Sequence, residues 1–214
     1  MSTAIKFCGL TRLTDVELAV ELQASFVGAV FAGGPRAITS EQARLLFARV
    51  QGARCVGVFG HQGRDEIARL VERAAVDVIQ LHADPTPELV SAVKRLTGLE
   101  TWAAVRIANA PDDGMLDALI SSADAIVYDT RTDVALGGTG RTFDWNLLAN
   151  ALDGERRARA RVVLAGGLTP ALAPLAIDAL HPDVVDVSSG VESAPGVKDH
   201  ALMRAFASAV RQVR

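Results

Sequence analysis

Arg161-Val162-Val163-Leu164-Ala165-Gly166-Gly167-Leu168-Thr169-Pro170 holds a complete folding unit in one short stretch. Its unbroken apolar run reads as a strand buried on both faces. The glycine pair then lets the backbone turn tightly, or approach an anion closely. Threonine followed by proline reads as a helix N-cap with proline at the first helical position. The helix it announces runs over 171–180.

The same alternation extends in both directions. Short runs rich in Val, Ile and Phe occupy residues 4–8, 26–31, 54–59, 77–81, 101–106, 123–129, 161–165 and 183–188. Between them the apolar period lengthens to that of a helix. One helix starts at Thr14-Asp15. Another follows Ser40 and covers 41–50. A third covers 65–75, with Ile67, Leu70 and Val71 facing inward. Thr86-Pro87-Glu88 repeats the cap-then-proline pattern. Weaker helical stretches lie at 115–121 and 144–152, and the last helix covers 200–213. Strand then helix, eight times in 214 residues, is the count of a (β/α)8 barrel near its lower size limit. A doubly wound open sheet competes, but usually carries a Gly-rich dinucleotide turn after its first strand. Here that turn is Cys8-Gly9-Leu10-Thr11. No stretch rich in Pro, Ser or charge divides the chain. The expected fold is therefore α/β, a single-domain (β/α)8 TIM barrel over residues 1–214. The basic run at 155–161 reads as a solvated helix end or loop.

Composition narrows the function. The chain is 50% hydrophobic and 22% charged, with a net charge of −3. That supports a sizeable core and excludes a disordered chain. With no basic excess, general nucleic-acid binding is not expected. Cys8 and Cys55 are too few for a disulfide framework, and no CxxC pair suggests zinc. The N-terminus reads as a strand, not a signal peptide. No apolar run reaches the ~20 residues of a membrane helix. The expectation is a soluble, cytoplasmic protein.

A barrel of this kind places its chemistry at the C-terminal ends of the strands. The candidates there are Cys8, Arg36, His82, Arg106, Asp129, the Gly137-Gly138-Thr139-Gly140 loop, Gly166-Gly167, and Asp186 with Ser188-Ser189-Gly190. Glycines after strands seven and eight suit a phosphate cradle, although each alone could serve only a turn. Cys8 could act as a base if its thiol ionises readily. Lys6 lies on the same strand face, one layer deeper, where a cation would favour the thiolate. The plain alternative is a core cysteine, the reading given to Cys55. Asp129 ends an apolar strand, where a carboxyl is costly unless paired or used; an N-cap role is its alternative, and Asp186 is equally ambiguous. Arg36 suits a carboxylate clamp or a solvated loop. His82 could simply be a hydrogen-bonded strand-end histidine.

Lys6-Phe7-Cys8-Gly9-Leu10-Thr11 resembles the opening of the phosphoribosylanthranilate isomerase family of tryptophan biosynthesis. The resemblance continues through Gly57-Val58-Phe59, Gln80-Leu81-His82, Asp129-Thr130, Gly137-Gly138-Thr139-Gly140 and Phe143-Asp144-Trp145. It takes in Leu164-Ala165-Gly166-Gly167-Leu168 and Asp186-Val187-Ser188-Ser189-Gly190-Val191-Glu192. It closes on Pro195-Gly196-Val197-Lys198-Asp199. Gly34, Ala83 and Gly60-His61 depart from the family pattern, and none of them is a proposed catalytic group.

The resemblance implies an Amadori rearrangement of N-(5'-phosphoribosyl)anthranilate to an aminoketose. An acid protonates the furanose ring oxygen, and a base then removes the C2 proton. It implies Cys8 as the base, with its thiol shifted towards the thiolate, and Asp129 as the acid. Arg36 would meet the anthranilate carboxylate, and Asp186 the substrate's amino nitrogen or hydroxyls. Gly166, Gly167, Ser189 and Gly190 would hold the phosphate. No metal or cofactor is called for. The expected partner is a small phosphosugar substrate, with neither nucleic acid nor membrane, in a monomer or homodimer. Two alternatives stand beside it. One is another phosphosugar isomerase barrel, such as that of histidine synthesis, which would show duplicated halves and an aspartate ending strand one. The other is a barrel that binds a phosphorylated ligand without turning it over.

Overall fold

The computed structural model describes residues 2–107, 112–129 and 158–213. Its eight strands are β1 (Ala4–Phe7), β2 (Phe26–Val30), β3 (Arg54–Phe59), β4 (Val78–Leu81), β5 (Glu100–Arg106), β6 (Ala125–Asp129), β7 (Arg161–Ala165) and β8 (Val184–Val187). Each pairs in parallel with the next, and β8 pairs with β1, so the sheet closes into the expected barrel. The described helices are α1 (Leu13–Glu21), α2 (Ser40–Phe47), α3 (Arg64–Ala74), α4 (Pro87–Thr97), α5 (Asp113–Ser122), α6 (Ala173–Leu180) and α7 (His200–Gln212). The helix expected at 144–152 and the loop at 137–140 lie outside the described residues. Beyond β8, a 3-10 turn (Ser189–Val191) leads to a small hairpin of β9 (Glu192–Ala194) and β10 (Val197–Lys198).

Helix starts refine the sequence reading. Thr86 caps α4 as expected, accepting a hydrogen bond from the Leu89 amide with Pro87 in the first turn. The cap of α2 is Thr39, not Ser40. Only Thr39 has a glutamine three residues on, and Gln42 returns a bond to its amide in a capping box. α6 begins two residues later than expected. Thr169 closes a turn by accepting from the Leu172 amide, and the helix starts at Ala173 with Pro174 in its first turn.

Period-two alternation separates two cores. Outward residues pack beneath the helices. Inward ones, among them Phe26, Val56, Val78, Val127 and Val163, fill the lower barrel around fully buried Trp102. Phe26 meets Trp102 edge-to-face with ring centroids 4.9 Å apart. At the N-terminal rim, Glu100 accepts from Arg54, Arg161 and the Trp102 indole. Above Trp102 the interior becomes polar with Lys6, Gln80 and Asp186, all buried. Among the described residues no helix is long and apolar enough to cross a membrane.

Thr86→Ala removes the α4 cap while leaving Pro87 in place. It should cost about 1 kcal/mol. For a chain of this size that lowers Tm by roughly 2–4 °C, measurable by thermal denaturation.

Candidate active site

A cavity of about 240 Å³ opens at the C-terminal end of the barrel. Cys8, Arg36, Asp129, Gly166, Gly167, Asp186, Ser189 and Gly190 all line it, together with Gln80, His82 and Ser188. Residues far apart in the chain thus converge on one space. Arg106 does not join them. It lies in a separate cleft beside α4 and α5, 3.9 Å from Asp84.

Cys8 stands one residue past β1, and its amide still donates to the Val187 carbonyl, which fixes its height in the barrel. A glycine on the neighbouring strand makes room for it. A Cβ at Gly28 would lie 3.0 Å from Cys8 Sγ and 3.4 Å from Lys6 Cε. Burial pushes the Cys8 thiol up. Lys6 and Lys198 pull it back, and Asp186 adds to the rise. This corrects the expected shift towards the thiolate. Lys6 is where alternation placed it, but burial outweighs its charge.

Lys6 and Asp186 face each other in register across the β1–β8 seam. Lys6 Nζ donates to Asp186 Oδ2 at 2.5 Å and to Gln80 Oε1 at 2.7 Å. Burial alone would lower the Lys6 pKa, but Asp186 and Cys8 raise it, so the ammonium stays charged. Asp186 Oδ1 is buried and has no hydrogen-bond partner among the described residues. A buried acceptor of this kind calls for a donor, and a ligand in the adjoining cavity can supply one.

From Lys6 a directed chain runs across the mouth. An ammonium only donates, so Gln80 turns its oxygen to Lys6 and its amide nitrogen to His82 Nδ1, 3.3 Å away. Nδ1 then accepts, and the ring proton sits on Nε2. Nε2 lies 3.4 Å from Asp129 Oδ2. The histidine thus turns an N–H edge towards the carboxyl that ends β6.

Arg36 is not a solvated loop residue. Its Nε and Nη2 donate to Glu192 Oε1 and Oε2 at 2.8 and 2.6 Å. Lys198 Nζ donates to the same carboxylate at 2.8 Å and to the Ser188 carbonyl at 3.0 Å. Burial would raise the Glu192 pKa, but the two cations bring it down to about 2. Glu192 and Lys198 both fall in stretches that carry the family resemblance, but neither has a role expected from sequence. Their signal was two opposite charges flanking a Pro-Gly turn, a spacing that suits a hairpin.

The glycine loops touch each other. Gly166 and Gly167 adopt φ of +88° and +66°, a region that favours glycine. A Cβ at Gly190 would lie 1.8 Å from the Leu168 carbonyl oxygen. Loops seven and eight therefore border the cavity with bare backbone, as an anion cradle requires. Among the described residues, no three His, Cys, Asp or Glu side chains converge as a metal site.

Comparison with known proteins agrees across the chain. Residues 5–209 match the family model for N-(5'phosphoribosyl)anthranilate (PRA) isomerase. A protein of that name from Acetivibrio thermocellus is 36% identical, covering 98% of this chain and 96% of the relative. The crystal structure of phosphoribosyl anthranilate isomerase from Thermus thermophilus superposes with a TM-score of 0.82 at 33% identity, covering 99% of this chain and all of that one. A further isomerase structure holds reduced 1-(o-carboxyphenylamino)-1-deoxyribulose 5-phosphate. It matches with a TM-score of 0.81 at 30% identity, over 98% of this chain and 99% of that one.

The directed chain from Lys6 makes a spectroscopic prediction. Long-range 1H–15N spectra at alkaline pH, where imidazole is neutral, should show His82 as the Nε2–H tautomer, its signals assigned by their loss in His82→Asn. An Nδ1–H signal would mean that Gln80 does not donate to the ring.

Proposed function

The chain belongs to the N-(5'-phosphoribosyl)anthranilate isomerase family, and on that premise we propose that it converts N-(5'-phosphoribosyl)anthranilate to 1-(o-carboxyphenylamino)-1-deoxyribulose 5-phosphate in L-tryptophan biosynthesis. One observation carries the reading. Cys8 follows β1 and Asp129 ends β6, strands that are not neighbours in the closed barrel, yet both line a single cavity with an arginine, two glycine loops and Asp186, whose Oδ1 has no partner among the described residues.

In this reading the substrate spans the mouth. The loops after β7 and β8 take its phosphate through Gly166, Gly167, Ser189 and Gly190. Arg36 takes the anthranilate carboxylate. Asp186 offers Oδ1 to the amino nitrogen or a sugar hydroxyl, and Lys6 keeps its other oxygen occupied. Asp129 gives a proton to the furanose oxygen as the C1–O bond breaks, leaving a Schiff base. Cys8, as thiolate, removes the proton from C2. The C–H electrons form the C1–C2 double bond of an enolamine, and the C=N electrons pass to nitrogen. Tautomerisation, with a proton added at C1 and one lost from the C2 hydroxyl, yields the ketone. Every step moves a proton held by this chain or its substrate. Within the same proposal the whole chain acts as one barrel, in the cytoplasm, as a monomer or homodimer.

The productive pair shares one proton, on Asp129 and off Cys8. At low pH both groups hold a proton and at high pH neither does, so kcat/KM follows a bell. The alkaline limb marks loss of the last proton. Because burial pushes the Cys8 thiol up, that limb should lie above the ordinary thiol value of about 8.5. A pH–rate profile measured by loss of substrate fluorescence checks this, and a limb below that value would remove Cys8 from the pair.

Substitutions test the roles separately. Cys8→Ala and Asp129→Asn should each lower kcat by about 10²–10⁴-fold with KM little changed. Cys55→Ala is the control. A near-wild-type kcat in Asp129→Asn would return Asp129 to a capping role, which asparagine fills equally well.

A further inference from the structure

Arg36 follows Gly33-Gly34-Pro35, an exposed stretch whose two glycines have φ of +82° and +84°. A long side chain on such a loop should be free to sweep, and fixing it costs rotamer entropy. Yet it is held along its length. Its stem crosses Gly9, where a Cβ would lie 2.7 Å from Arg36 Cδ. Its head is gripped by Glu192 through Nε and Nη2. Glu192 is itself anchored by Lys198. The Lys198 side chain is fully buried and that of Glu192 is 4% exposed.

Three charges thus share one corner, two positive and one negative. Glu192 occupies only the Nε–Nη2 edge of the guanidinium. Among the described residues the Nη1–Nη2 edge has no further partner, and it is the right shape for a second carboxylate in a bidentate pair. Arg36 is 21% exposed and lines the cavity. A corner of net charge +1 suits an incoming anion, and a corner in which Glu192 faced a single cation would not.

We propose that Glu192 is a positioning residue, which grips one edge of the Arg36 guanidinium so that the other edge meets the carboxylate of the substrate. The proposal rests on the assignment of Arg36 to the anthranilate carboxylate given above. The low pKa of Glu192 supports it, because the grip then persists throughout any working pH range.

A double-mutant cycle tests it, with KM and kcat measured on N-(5'-phosphoribosyl)anthranilate for Glu192→Gln, Arg36→Ala and the pair. Glutamine keeps the volume of glutamate but loses its charge and one acceptor. Glu192→Gln should raise KM by about fivefold to tenfold, with kcat within about twofold, as for loss of uniform binding. In the Arg36→Ala background the same change should alter KM by less than about twofold, since residues that act through one contact are not additive. Glu192→Asp, which restores the charge on a shorter stem, should recover part of the loss.

Equal KM increases in both backgrounds would overturn the proposal, because Glu192 would then act without Arg36. So would a lower Tm with unchanged KM, the mark of a purely structural tie. If Glu192→Gln does not fold, the cycle is read with Glu192→Asp under the same criteria. If Arg36→Ala itself leaves KM unchanged, the carboxylate assignment falls, and this outcome is distinct from the other two.

Discussion

The ion pair between Lys6 and Asp186 lies on the seam where the first strand meets the last. Two charges buried there carry a desolvation cost that only good geometry and further hydrogen bonds offset. Much of the barrel mouth follows from how that cost is met. Lys6 takes Gln80 as a second acceptor, which orients the amide and, through it, His82. Asp186 keeps one oxygen without a partner among the described residues, and its side chain lines the cavity. Cys8 feels both charges with opposite signs. Breaking the pair on either side would leave an uncompensated charge beneath the thiol.

The barrel divides its labour along its axis. Below Lys6, Trp102 and its aliphatic neighbours fill the interior, and the Glu100 cluster closes the N-terminal rim. Trp102, its neighbours Phe26, Val56, Val78, Val127 and Val163, and Glu100 are not among the residues that line the cavity, so their contribution is to stability. Above Lys6 the side chains are polar, and strand ends deliver them to one space. This division lets the upper rim hold a thiol whose pKa is raised, an acceptor without a partner among the described residues, and bare glycine loops. The apolar packing beneath bears the energetic cost of those features.

The cations at the mouth differ in kind. Lys6 and Lys198 are buried and fixed, and both favour the thiolate of Cys8 against the effect of burial. Arg36 is partly exposed and has one edge to offer. A point charge suits the first task and a planar fork the second. Glu192 connects the two kinds, since it binds Lys198 and Arg36 at once.

Local pattern determined the barrel. Unbroken Val-rich runs alternating with helical periodicity point to strands buried on both faces, and eight of them without a Gly-rich dinucleotide turn after the first favour a closed sheet over an open one. Strand-end position then selected Cys8, Asp129, Asp186 and the glycine loops, because this fold presents those ends to one side. Lys6 was found through period-two alternation. The pairings were decided only in three dimensions. Arg36 meets Glu192 across 156 positions, and Lys6 meets Asp186 across 180. No local pattern encodes a contact that forms only when the barrel closes. The direction of the Cys8 shift belongs to the same class. Alternation could place a cation beneath the thiol, but burial is set by what the whole fold packs around it, and here burial is the larger effect.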